Sequence, residues 1–284
     1  MARKGLNVTE KVLDYSRKPF GDYDGGVFQT KPWDCGPASV QVILQSAGVV
    51  RSEQWIIDHV NASVNAADRI TTNGTNHAGI LCPILNELLP GSGYTEVWLP
   101  REPVSKKDID LLWKNISRSI DSSRGVLLNF EVPPWAQIKT SRGSTPPPYP
   151  TRSTTFHYTA CMGKAEDADG SRHGWIADPA GFGGVTGYWV PIEEIARLVV
   201  PHAYAYAAGA PIVITTPPTP VIADNLATLW MEWNALEFGD LDAIGAIVKL
   251  SQSGDIRAAK SLARLEQTNP DSLRKYINRQ KVTA

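Results

Sequence analysis

Residues 29–44, QTKPWDCGPASVQVIL, decide how the rest of the chain is read. A cysteine stands between an aspartate and a Gly-Pro pair, just where an apolar helical pattern begins. Val40, Ile43, Leu44 and Ala47 recur on one helical face, and Gly48 is a stop signal. The spacing predicts a helix over 37–47. Proline favours the first helical turn, so Cys35 falls at the helix N-terminus. A helix carries roughly half a positive charge there, which stabilises a thiolate. The thiolate is the reactive form, and a free cysteine ionises near about pH 8.5. The competing reading is a buried structural thiol, a common fate for cysteine.

A nucleophilic thiol needs a base, and the base needs a third group to hold it. Five histidines compete. His59 lies in an amphipathic helical stretch and His77 in a loop with no predicted orienting partner. His173 falls in a predicted hairpin turn, and His202 on a short strand. His157 opens the strand FHYTACMG, and Asp178 closes the next one, in WIADPAG. The intervening EDADGSRH marks a β-hairpin, which sets such positions side by side. Asp178 can then accept from one ring nitrogen while the other faces the thiol. Gln29, six residues before Cys35, offers an amide donor for an oxyanion, together with the backbone N–H of Cys35.

The bulk properties narrow the class. The chain has 284 residues, 42% hydrophobic and 20% charged, enough to bury a core without metals or disulfides. A net charge of -1 gives no nucleic-acid footprint. Cys35, Cys82 and Cys161 cannot all pair and form no CxxC motif, which points to a reducing compartment of synthesis. The opening MARKGLNVTEKVLDYSRK is charged and is no secretory signal, and no apolar run of about 18 residues follows. Cytoplasmic synthesis without membrane insertion is the expectation. Neither a zinc motif nor a calcium loop is present, so no metal and no cofactor is expected. The oligomeric state stays open.

Strands are predicted at YTEVWLP, VLLNFEV and GYWV, and further ones at AYAYAA and PIVIT. Helices are predicted at SEQWIIDHVNASV, GILCPILNELL, IEEIARLV and SKKDIDLLWKNISRSID, the last capped by Ser105. Residues 133–153 form a proline-rich loop of unusual length, and loops that long tend to be functional or disordered. Its Pro146–Tyr149 stretch reads as a rigid loop or a polyproline ligand. These elements predict an α/β (α+β) domain over 1–214. A Pro/Thr linker over 215–225 precedes a small helical module over 226–284, with stops and caps at Gly239-Asp240, Gly254-Asp255 and Asn269-Pro270.

Gln29, WDCGPAS, HYTAC and ADPAG followed by GYWVPIEEI together resemble the papain-like cysteine peptidases of the C39 group. The resemblance spans about residues 29 to 200. It implies an antiparallel sheet packed on the nucleophile's helix. It also implies Cys35 as nucleophile, His157 as general base and acid, Asp178 as orienter and Gln29 as oxyanion donor. Because the chain shows no transmembrane segment, it looks more like the peptidase part of an actinobacterial phage endolysin than an exporter domain. That likeness implies peptidoglycan crosslink peptides as substrate, at the bacterial wall, after release from the host cytoplasm. The alternatives are a processing peptidase acting on a protein precursor, or a non-catalytic peptide-binding or virion protein on the same fold.

Overall fold

The protein is described by a computed structural model covering residues 9–15, 29–99, 103–150 and 152–209, with eight further residues between 244 and 278. The chain divides into two compact units, Met1–Val213 and Ile214–Ala284. In the second unit the eight described residues are helical, and Ile244 and Ile247 are buried. The linker and helix caps expected there lie outside the described residues, as does the strand expected at PIVIT.

Helix α1 (Cys35–Ser46) begins two residues earlier than the apolar pattern suggests, with Asp34 as its N-cap residue. Cys35 is therefore the first helical residue rather than one just ahead of the helix. α1 is buried along nearly its whole length, which explains why its apolar residues are not confined to one stripe. α2 (Glu53–Ser63) follows, its start fixed by Ser52, whose side chain accepts from the Trp55 N–H. A 3-10 turn (Ala78–Leu81) leads into the short α3 (Cys82–Leu88). α4 (Lys106–Asp121) is capped by Ser105, which accepts from the Asp108 N–H. α5 (Ile192–Val199) runs directly out of a strand.

Seven strands among the described residues form one antiparallel sheet: β1 (Thr9–Val12), β2 (Tyr94–Trp98), β3 (Val126–Val132), β4 (Thr155–Glu166), β5 (Arg172–Ala177), β6 (Gly187–Pro191) and β7 (Ala203–Ala207). The order is β2-β7-β3-β4-β5-β6. β4 is the spine. Its first half pairs with β3 and its second half with β1, while β5 runs along its other edge. With five α-helices packed around this sheet, the fold is mixed α and β, as expected. β1 was not foreseen, because its four residues alternate weakly, three of them exposed and the fourth half-exposed. α1 packs on β4 and β3, and this contact brings the helix that starts at Cys35 to the hairpin. Residues 133–150 contain neither helix nor strand, yet Ile138 and Tyr149 within them are buried.

Candidate active site

Three pieces of chain converge at the N-terminus of α1. The first is the loop ahead of Cys35. The Asp34 side chain makes no cap hydrogen bond; its carboxylate turns back, accepts from the Lys31 N–H (3.1 Å) and lies 3.1 Å from the Thr30 hydroxyl oxygen. The N–H groups of Cys35 and Gly36 belong to the open end of the helix, and Pro37 has none to offer. The carbonyl of Asp34 already accepts the Ala38 N–H (2.9 Å). Gly36 is required by a close neighbour: a methyl group at that position would overlap the Thr75 hydroxyl.

The second piece is the β4–β5 hairpin. Ala160 pairs with Ala177, so the ladder carries on toward His157 and Asp178 at its open end. His157 Nε2 lies 2.8 Å from Asp178 Oδ1, and both residues are buried. Burial favours the neutral imidazole, but the Asp178 carboxylate and then Cys35 override it and push the His157 pKa up to about 10. Burial likewise works to raise Asp178; His157 and two tyrosine hydroxyls reverse this and hold its pKa below the ordinary carboxylate value. An ionised Asp178 can only accept, so the hydrogen of that bond sits on Nε2. Nδ1 is left free, and Cys35 stands near enough to help raise the His157 pKa.

The third piece is Gln29. Its N–H donates to the Pro179 carbonyl (2.9 Å), which ties the loop before Cys35 to the turn after Asp178. Its side-chain Nε2 donates to the Lys31 carbonyl (2.7 Å), and its Oε1 is buried without a hydrogen-bond partner. The amide thus has one N–H engaged within its own loop and one left over. Cys35, His157, Asp178 and Gln29 occupy one neighbourhood.

The other four histidines correct the elimination made from sequence. Each has a carboxylate partner: His59–Glu87 at 2.9 Å, His77–Glu96 at 3.1 Å, His173–Asp167 at 3.1 Å and His202–Glu131 at 2.9 Å. His77 was expected to lack one, but Glu96 reaches it from β2. His173 was expected in the turn and instead lies within β5, because the hairpin loop is tighter than its composition implies. A carboxylate neighbour therefore singles out nothing; the thiol beside His157 does. Burial pushes Cys82 and Cys161 up to about 12, and their sulfurs face the carbonyls of Ala78 and Gly163. All three cysteines are free.

Sequence reasoning missed three members of this neighbourhood. Glu53 is buried behind the Cys35 loop and accepts from the Thr30 N–H (3.0 Å) and hydroxyl (2.6 Å). Burial, with a hydrogen bond to Asp34, pushes its pKa up to about 8. Tyr149 and Tyr188 each place a hydroxyl 2.9 Å from Asp178 Oδ2. Only tertiary packing connects these residues, so no local motif announces them. Among the described residues no cluster could hold a metal, and no helix is long and apolar enough to cross a membrane.

No family model matches the chain, and no curated protein matches it. Among solved structures the chain is similar to one from Bacillus anthracis, described provisionally as a C39-like peptidase. The two are 16% identical over 70% of this chain and 97% of that one, with a TM-score of 0.39. A likeness at that level transfers neither an activity nor a residue role.

Proposed function

We propose that the protein is a cysteine peptidase. Within that class we place it with the C39-type enzymes that cut peptide crosslinks of peptidoglycan, in the setting of phage-mediated lysis. The observation that carries the class is the buried line of Cys35 against His157 and His157 against Asp178 at 2.8 Å, set at the start of a helix. The wall substrate rests on the sequence resemblance alone.

In this mechanism the Cys35 thiol gives its proton to His157 Nδ1, and the helix N-terminus and imidazolium stabilise the thiolate. The sulfur attacks the scissile carbonyl carbon. The oxygen then carries the negative charge, facing the Cys35 N–H and the free N–H of Gln29. Collapse expels the amine, which takes the proton from His157 and leaves a thioester on Cys35. His157 next takes a proton from water, the hydroxide attacks the thioester, and the acid is released as the thiol is restored. Asp178 stays ionised throughout and holds the ring.

The test is turbidity loss of purified actinobacterial cell walls, wild type beside Cys35→Ala, with mass spectrometry of the released fragments. Clearing by the wild type alone, with new peptide ends, is the expected result. Equal clearing by Cys35→Ala overturns the mechanism. No clearing by either protein, with cleavage of a protein precursor instead, keeps the class and replaces the substrate.

A further inference from the structure

The long proline-rich segment ahead of β4 is fastened rather than loose. The Ser141 N–H donates to the Trp189 carbonyl (2.9 Å), and the Trp189 N–H donates to the Ser144 hydroxyl (2.9 Å). The Lys139 N–H donates to Glu194 on α5 (3.1 Å). Arg142 bridges Glu10 and Asp167 and lies over the Trp189 ring. Pro148 packs so closely on Gly183 that a side chain there would collide with it. The segment is thus strapped along β6 and delivers Tyr149 into the protein, where its ring meets His157 edge-on and Phe182 at a tilt.

The Tyr149 hydroxyl ends 2.9 Å from Asp178 Oδ2, and Tyr188 from β6 brings a second hydroxyl to the same oxygen, also at 2.9 Å. The other oxygen, Oδ1, takes His157 Nε2 at 2.8 Å and the Ala180 N–H at 3.0 Å. Four donors saturate the carboxylate and fix its rotation about the side-chain bond. Burial, followed by the Asp178 charge, holds both phenols far above their ordinary pKa, so they stay protonated and act as donors. The titratable groups acting on His157 are Asp178 and Cys35; those acting on Asp178 are His157, Tyr149 and Tyr188.

We infer that Tyr149 and Tyr188 are positioning residues for the His157–Asp178 pair, and that the proline-rich segment exists to place the first of them. This inference deepens the cysteine-peptidase assignment and rests on it for its catalytic meaning. Two phenols on Oδ2 direct Oδ1 at the imidazole, which aims Nδ1 at Cys35. They also spread the carboxylate charge, so they temper the basicity that Asp178 confers on the ring.

The experiment compares wild type with Tyr149→Phe, Tyr188→Phe and the double variant. It follows the His157 ring by NMR titration, alongside the pH dependence of Cys35 alkylation by iodoacetamide. Phenylalanine keeps the packed ring and removes only the donor. The expected result is an upward move of the His157 titration by ~0.5 to 1 pH unit in each single variant and by more in the double one. The alkylation profile should move with it. Curves that superimpose on wild type in both single variants and the double overturn the inference, even if thermal stability falls. Tyr188→Phe reads the same oxygen if Tyr149→Phe does not fold. Failure of the peptidase assignment looks different: wild-type Cys35 alkylates like an ordinary thiol and no peptide bond is cut, whatever the tyrosines do to His157.

Discussion

One hairpin carries two His–Asp pairs, one near each end. At the open end His157 meets Asp178 at 2.8 Å, and near the turn His173 meets Asp167 at 3.1 Å. Both histidines are buried. What differs is the company. Asp178 is buried and saturated by four donors, and a thiol stands on the far side of its histidine. Asp167 is partly exposed, and its second partner is Arg142, which fastens the proline-rich segment. The same two residue types thus build a fully buried pair beside a thiol in one place and a fastening for the proline-rich segment in the other. Pairing is common in a folded chain; a thiol at a helix start beside the pair is not.

The comparison breaks most sharply by substitution. His157→Ala should lower peptide-bond hydrolysis by about 10⁴-fold or more. Asp178→Asn should lower it by at least about 10²-fold, because an amide can present its NH₂ to the ring and favour the wrong tautomer. His173→Ala and Asp167→Asn should leave the rate within about twofold, since this pair lies at the turn end of the hairpin, away from Asp178. Steady-state kinetics on whichever peptide the wild type is found to cut decides this. An equal loss at both ends of the hairpin would remove the distinction.

A second difference lies between the saturated Asp178 and the crowded Glu53 behind the Cys35 loop. Glu53 has its pKa raised from 4.5 to about 8, so the folded state holds a proton that the unfolded state releases. Stability should therefore fall as pH rises between those values. Glu53→Gln mimics the protonated form and keeps an acceptor for Thr30. Thermal unfolding at several pH values should show the variant matching wild type in acid and exceeding it in mild base. Parallel curves would mean that Glu53 is ionised in the folded protein. Asp178, with a lowered pKa, acts oppositely: its contribution is present above the ordinary carboxylate pKa and is lost as pH falls through its own.

The smallest effect belongs far from either pair. Ser105→Ala removes the cap of α4 and should cost about 1 kcal/mol, with kinetics unchanged. Chemical denaturation checks it, and any loss of rate there would mean that the sheet transmits strain to the site.

Much of the scaffold was legible because it is encoded locally. The helix after Cys35, the Ser52 and Ser105 caps, the VLLNFEV strand and the β4–β5 hairpin all follow from period, cap and turn chemistry within a few residues. The hairpin also made His157 and Asp178 neighbours, since antiparallel register fixes which residues face each other. β1 escaped because four residues, three of them exposed, carry no clear alternation.

The sequence by itself therefore determined the α/β class, the helix that follows the thiol, and the His157–Asp178 juxtaposition. Tertiary structure alone decided the rest. It laid α1 against β4, which put Cys35 beside His157. It gave every other histidine a carboxylate, which removed the ground on which His77 had been set aside. It drew Tyr149 out of a proline-rich stretch and onto Asp178, and Glu53 under Thr30. The physical reason is range. Period, caps and turns act within one element, whereas these contacts join elements far apart in the chain, where packing and desolvation choose the partners and leave no spacing to read.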